Sequence, residues 1–260
     1  MIQELLYEVN DDGVGRITFN RPEARNALTF RMYERLAEIL QEAESDSSLK
    51  ALIFTGAGEQ AFAAGTDISE FRSFSRAEDA LNYEARMDGI LDALERSRVP
   101  TIAAIAGACT GGGAAIAVCC DMRIGASSAR FGMPIGRTLG NCLSMSNYAR
   151  LVSLLGAARV KDIIFTARLI PAGEAHAIGL LGEVLPDYAT LQSRASELAR
   201  TVASQAPLTL RATKEALRRI KEKMSPEEDH KLILMCYMSR DFREGMDAFL
   251  NKRAPKWTGT

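Results

Sequence analysis

The stretch TIAAIAGACTGGGAAIAVCC, residues 101–120, decides how this chain is read. Thr101 to Ala106 is a short apolar run of the kind carried by a strand buried on both faces. Gly107 and the triplet Gly111-Gly112-Gly113 supply a turn, and a helix is expected from about Gly112. A helix that opens on glycine leaves bare, approachable N–H groups at its positive end, and these favour negative charge. Glycine turns of this kind also serve tight packing, and the triplet taken alone favours packing over an anion site. It is not a phosphate cradle, because no Gly-Lys-Ser/Thr follows and no Gly-x-Gly-x-x-Gly is present there.

Working outward, the same strand–helix alternation recurs. Val14 to Phe19 alternates and ends at the turn Asn20-Arg21-Pro22. Thr29 is a plausible N-cap for a helix running to Glu44, with Leu36, Ile39, Leu40 and Ala43 at helical spacing. Leu49 to Thr55 is a short apolar strand closed by Gly56-Ala57-Gly58, and Ala77 to Arg96 is an amphipathic helix stopped before Pro100. Asp121 to Ala126 is a further strand. This order predicts an α/β architecture with crossover helices over residues 1–192. Beyond about Ser193 the chain turns helical and charged, with stripes at Arg194 to Ser204, Leu208 to Lys223 and Pro226 to Phe249. Residues 193–260 are therefore expected to form a helical region, packed on the α/β core or on a neighbouring subunit.

Composition bounds the function. With 260 residues, 47% of them hydrophobic, the chain can bury a large core. Thirty-two basic against 33 acidic residues argue against a nucleic-acid coat. The longest apolar run is broken by glycines, so no membrane span is expected, and the N-terminus shows no signal-peptide pattern. Cys109, Cys119, Cys120, Cys142 and Cys236 match no zinc spacing and are expected as reduced thiols of a cytoplasmic protein; no metal site is expected. Cys142 differs from the rest in its polar, glycine-rich surroundings. As a nucleophile it lacks a histidine nearby in sequence, since only His176 and His230 occur.

A set of segments then acquires meaning together: Asn20-Arg21-Pro22-Glu23-Ala24-Arg25-Asn26-Ala27-Leu28, Phe62-Ala63-Ala64-Gly65-Thr66-Asp67-Ile68, Gly111-Gly112-Gly113, Cys120-Asp121-Met122-Arg123 and Ala129-Arg130-Phe131-Gly132. In order and spacing they closely resemble the crotonase (enoyl-CoA hydratase/isomerase) superfamily. The resemblance continues through Gly173 to Leu180 and Arg243 to Phe249, and so covers nearly the whole chain. It implies a crotonase-like spiral of βαβ units with an α-helical C-terminal trimerisation region, assembled as a homotrimer or hexamer. It implies an acyl-CoA thioester as the ligand, with coenzyme A as part of the substrate and no separate cofactor. The thioester carbonyl is then expected between the backbone N–H groups of Thr66 and Gly112. Donors preorganised at an oxygen where charge develops supply ~3–4 kcal/mol each. The resemblance also puts the coenzyme A moiety near Arg25, Ala27, Ala64 and Ile68, and Phe249 and Lys252 near its nucleotide end. Asp67 is either functional or the cap of the following turn.

One part of the pattern is missing. Hydratases of this family carry two glutamates over the acyl group, and the matching positions here are Ala115 and Ile135. Between Glu95 and Asp162 the only acidic residue is Asp121, so a small shift of register restores neither. Ordinary two-glutamate hydration is not supported. Arg137 and Asn141 are candidates for binding a carboxylate or hydroxyl on the acyl group, against the alternative that Arg137 faces solvent and Asn141 serves a turn. Among acids elsewhere, Glu70, Glu84 and Asp88 follow the Thr66 loop, and Glu70 is the preferred candidate. The sequence therefore predicts an enzyme acting on an acyl-CoA by oxyanion or enolate stabilisation: a hydratase- or isomerase-type activity, or C–C cleavage or thioester hydrolysis. The alternative is a non-catalytic acyl-CoA-binding protein.

Overall fold

The computed structural model describes residues 3–222, 234 and 237–256. Its main sheet has six strands. In chain order these are β1 (Leu5–Val9), β2 (Val14–Phe19), β3 (Ala51–Gly56), β5 (Thr101–Ile105), β7 (Met122–Ala126) and β10 (Glu183–Leu185), and they lie side by side in that order. Only the β1–β2 pair is antiparallel. Every residue of β3 and β5 is buried, which is why these two strands read as unbroken apolar runs.

A second, four-stranded sheet holds β4 (Ala61–Ala63), β6 (Ala108–Thr110), β8 (Arg130–Gly132) and β9 (Ile170–Pro171). Each pass of the chain gives one strand to the large sheet and the next to the small one: β3 then β4, β5 then β6, β7 then β8. Helices α2 (Ala77–Arg96) and α3 (Gly112–Cys119) carry the chain from one pass to the next. That repetition is the predicted spiral. Helix α1 (Phe30–Ser45) starts where expected, with the Thr29 hydroxyl accepting from the Met32 N–H at 3.2 Å.

Helices α4 (Ile135–Thr138), α5 (Met145–Leu155), α6 (Ala157–Thr166) and α7 (Ala172–Ala177) follow β8 and surround β9. The C-terminal part differs from expectation at its border. Helix α8 spans Tyr188–Ala203, so a boundary between residues 192 and 193 falls inside it. Its Leu191, Ala195 and Ala199 pack on Ile53, Ile102 and Ile124 of the large sheet. Helix α9 (Pro207–Glu222) follows, and α10 (Arg240–Leu250) lies back on the same chain. Phe242 of α10 joins Ile68, Phe71, Leu139 and Tyr237 in a separate apolar cluster. Part of the helical stripe expected from Pro226 onward, with His230 and Cys236, lies outside the described residues. Among the described residues no helix is long and apolar enough to cross a membrane.

Helix α2 is held from the side by Arg150 of α5, whose side chain is only 3% exposed. Its guanidinium donates to Glu95 at 2.9 Å, to Asp92, and to Asp88 at 3.5 Å, and also reaches Asn147 Oδ1 at 3.1 Å. Removing one member of a buried charge cluster leaves the others unpaired, which costs more than the cluster contributes against an apolar substitute. Arg150→Ala is therefore expected to destabilise the protein by about 3 kcal/mol, measured by urea unfolding. Arg150→Met, which fills the space without the charge, is expected to be as damaging, because the carboxylates on α2 lose the guanidinium they share.

Candidate functional site

The cavity begins with a buried asparagine. Asn26 donates to the carbonyls of Ala61 (2.7 Å) and Ala57 (3.1 Å) and accepts from the Arg21 N–H (2.9 Å). These bonds dock the loop after β2 against β4. The next residues pair like strands: Leu28 N–H donates to Gly65 O at 2.8 Å, and Asp67 N–H donates to Leu28 O at 2.9 Å. Successive N–H groups of an extended segment point to opposite sides. With Gly65 and Asp67 turned toward Leu28, the Thr66 N–H is turned the other way, and it has no hydrogen-bond partner among the described residues. Gly65 makes this course possible with φ +99°, a left-handed value that side chains disfavour.

The glycine triplet meets this segment from the other side. Helix α3 opens at Gly112, whose N–H, in the first turn, has no intrahelical acceptor. A methyl group added to Gly112 would lie 2.1 Å from the Tyr33 hydroxyl oxygen, so only glycine fits there. That hydroxyl sits 2.9 Å from Thr66 Oγ1, which is 3.0 Å from the Tyr83 hydroxyl. Three hydroxyls joined by two hydrogen bonds use two of their three protons, leaving one O–H to donate elsewhere. Burial, more than any neighbouring charge, raises both phenols above their ordinary range and keeps them protonated.

Thr66 and Gly112 line one cavity of about 520 Å³, a size suited to a small organic ligand. Of the other predicted residues, Arg25, Ala27, Ala64, Asp67, Ile68, Asn141 and Phe249 also line it. Phe249 does so from α10 of the same chain. Asp67 carries the expected capping role as well: it accepts from the Ser69 N–H at 3.1 Å and pairs with Arg21 at 3.1 Å. Burial pushes its carboxyl up, but the Ser69 and Arg21 bonds outweigh that and hold it below its ordinary value. Ala115 and Ile135, the positions that the family resemblance matches to glutamates, line the cavity as apolar walls.

Three of the expected residues are not brought in. Arg137 is exposed on α4, Lys252 is exposed past α10, and Glu70 sits in the short 3-10 turn Ile68–Ser73; none lines the cavity among the described residues. His176 lies on α7 with Nδ1 at 3.0 Å from Leu181 O, away from the cavity. Cys142 does line it, and is in no disulfide.

Besides Asp67, the acid that faces the cavity is Glu84, only 6% exposed. The Tyr237 hydroxyl donates to its carboxylate, and Asn141 Nδ2 donates to that hydroxyl at 3.0 Å. Asn141 Oδ1 is buried with no partner among the described residues. Burial raises the Glu84 carboxyl to about 7, with the Tyr237 bond opposing and the charge of Asp88 adding. Asp88 itself is turned to Ser144, at 2.8 Å, and to Arg150. Preference for Glu70 followed chain position, next to the Thr66 loop. The available signal was helical phase: Ala80, Glu84, Met87, Leu91 and Leu94 form the buried stripe of α2, so Glu84 occupies a core position. No pattern in the sequence brought Tyr237 to it.

The comparisons agree on one family. The enoyl-CoA hydratase/isomerase family model matches residues 10–260. A short-chain-enoyl-CoA hydratase of Clostridium acetobutylicum is 37% identical over 92% of this chain and 92% of its own. A solved enoyl-CoA hydratase/carnithine racemase from Magnetospirillum magneticum is 32% identical, covers 100% of this chain and 97% of its own, and superposes with a TM-score of 0.80. A methylmalonyl-CoA decarboxylase in complex with 2-nitronate-propionyl-CoA is 29% identical over 100% of both chains, with a TM-score of 0.89.

Glu84 predicts a pH dependence of stability. Below an ordinary carboxyl value of 4.5 it is protonated in both the folded and unfolded chain. Between there and about 7 the unfolded chain ionises and the folded one does not, so stability falls as pH rises and levels off above. The loss is ~3 kcal/mol. Glu84→Gln is expected to remove this slope, so its unfolding free energy should gain on the parent by that amount between about pH 4 and pH 8. A constant difference across the range would show that Glu84 ionises normally.

Proposed function

The chain belongs to the enoyl-CoA hydratase/isomerase family, and from that premise we propose that it transforms an acyl-CoA thioester through an enolate held by the backbone N–H groups of Thr66 and Gly112. The observation that carries this reading is the convergence of two N–H groups without backbone acceptors on one cavity, one of them at the positive end of a helix. Negative charge that develops on the thioester oxygen meets donors already in place, with no reorganisation to make at the moment of reaction. The spare O–H of the Tyr33–Thr66–Tyr83 group is a further neutral donor beside them. Arg25, Ala27, Ala64 and Ile68 are assigned to the coenzyme A moiety, which enters as part of the substrate, and no separate cofactor is invoked.

The reaction proposed is not two-carboxylate hydration. Ala115 and Ile135 cannot transfer protons to or from a water, and the described lining residues give no second acid beside Glu84 except Asp67, which Arg21 and Ser69 already hold. The presence of a buried carboxyl in the cavity supports an active enzyme over a non-catalytic acyl-CoA carrier. A second reading, C–C cleavage, draws on the likeness to the methylmalonyl-CoA decarboxylase. Loss of CO2 from a carboxylated acyl-CoA delivers the same enolate without a base, and the apolar walls at Ala115 and Ile135 would solvate a carboxylate poorly. An assembly of homotrimer or hexamer type is supported by Leu208, Leu217 and Ile220, which α9 leaves exposed. A cytoplasmic location is proposed from the reduced cysteines.

The test isolates a single N–H. In a Tyr33→Phe background, which removes the oxygen that crowds position 112, Gly112→Ala keeps the donor and Gly112→Pro deletes it at a helix position where proline is accepted. With a panel of 2-enoyl-, 3-enoyl- and carboxyacyl-CoA substrates, the proline variant is expected to lose ~10²–10³-fold in kcat against the alanine variant. Equal activities would remove Gly112 from the mechanism.

A further inference from the structure

Enolate stabilisation leaves one group in the cavity without a task. Three charged residues line it among the described residues: Arg25, Asp67 and Glu84. Asp67 is tied to Ser69 and Arg21. Glu84 makes no ion pair among the described residues, although it is buried. A carboxyl placed so is costly to the fold unless it has work to do, and the same cavity holds a second costly atom, the unpartnered Asn141 Oδ1. The two atoms belong to one chain of hydrogen bonds, Glu84–Tyr237–Asn141.

That chain is built to hold Glu84 in either protonation state. When the carboxyl is ionised, the Tyr237 O–H donates to it and the Asn141 amide donates to Tyr237, as observed. When the carboxyl is protonated, it donates to the Tyr237 oxygen, and the Tyr237 proton needs an acceptor on its other side. A half-turn of the Asn141 amide presents Oδ1 there. Asparagine carries a donor and an acceptor on one planar group, so it serves both states. A leucine could serve neither, and a lysine only the first.

We propose that Glu84 is the catalytic proton carrier of a double-bond isomerisation, taking a proton from Cα of a β,γ-unsaturated acyl-CoA and returning it to Cγ, with Tyr237 and Asn141 as positioning residues that follow its charge. This rests on the enolate reading given above. In the first step the Cα–H bond breaks and its proton joins the Glu84 carboxylate. The electron pair spreads into a dienolate whose negative oxygen lies at Thr66 and Gly112. In the second step the Glu84 O–H bond breaks, the proton bonds to Cγ, the thioester carbonyl re-forms and the double bond stands between Cα and Cβ. One carboxyl completes the cycle, no water is consumed, and no second acid is needed at Ala115 or Ile135. Hydration needs protons handled at both water and Cα, which suits a pair of carboxyls and not this cavity.

The experiment uses the full chain and a short 3-enoyl-CoA, with formation of the conjugated 2-enoyl thioester followed by its absorbance across a range of pH. Besides Asn141, the groups that face Glu84 are Tyr33 from α1, Tyr83 and Asp88 from α2, and Tyr237. The three phenols stay protonated, so parent turnover is expected to rise through about 7 as Glu84 ionises. Glu84→Gln is expected to lower kcat by ~10²–10⁴-fold with KM little changed. Tyr237→Phe, which takes a donor from the carboxylate, is expected to lower turnover less than Glu84→Gln does and to move its midpoint to higher pH. Undiminished turnover by Glu84→Gln, or an unmoved midpoint in Tyr237→Phe, would overturn the proposal. So would a parent that leaves 3-enoyl-CoA untouched and decarboxylates a carboxyacyl-CoA faster as the pH falls. The infrared stretch of the bound thioester carbonyl separates this from the underlying reading. It should shift on binding in the parent and in Glu84→Gln alike; no shift in the parent would overturn the enolate reading itself.

Discussion

The structure depends on a constraint of strand pairing. Once Leu28 bonds to Gly65 O and Asp67 N–H, the peptide N–H of Thr66 must face away from that pairing. No side chain decides this; the alternation of an extended backbone does. The spiral then brings the start of α3 to the same place, because β4 and β6 are neighbours in the small sheet and their outgoing turns are neighbours too. Two N–H groups that secondary structure leaves unsatisfied thus share a cavity. Elsewhere unsatisfied donors are a cost of about 1–3 kcal/mol each when buried, and in the proposed reaction that cost becomes affinity for a developing oxyanion.

The second constraint is the apolar wall that Ala115 and Ile135 give the cavity. With Ala115 and Ile135 lining the cavity, its dielectric is low and its only unpaired carboxyl, among the described residues, is pushed toward neutrality. The same burial keeps the phenols of Tyr33 and Tyr83 protonated as donors beside Thr66. In the proposed chemistry these effects cooperate. A carboxyl that ionises near neutral pH both takes and gives a proton readily, and a dry cavity keeps that proton from exchanging with water. Helix α10 and Tyr237 complete the enclosure from the C-terminal end of the same chain.

What the sequence revealed divides along the line between backbone and side-chain geometry. The strands, the α1 cap at Thr29, the helix opening at Gly112 and the cavity-lining segment from Ala64 to Ile68 follow from apolar period, turn residues and spacing, all of them local signals. Arg137 was undecidable in sequence because α4 is one short turn, too brief for a period to say which way its side chains point. Glu70 was favoured on proximity along the chain, whereas the phase of α2 turns Glu84 inward. The bond from Tyr237 to Glu84 spans more than half the chain and arises only when α10 folds back on the turn after Asp67. Near residue 192 the charge pattern changes without a break in structure, because α8 continues through it and keeps its small apolar face on the sheet.

The most direct measurement is the fate of an isotope. A 3-enoyl-CoA carrying deuterium at Cα, converted in a single turnover in ordinary water, should yield a 2-enoyl product with a substantial share of the deuterium at Cγ. That result follows if one buried carboxyl accepts and returns the same nucleus while the thioester oxygen is held by the two backbone donors. Complete loss of the label to solvent, or no conversion at all, would contradict the account.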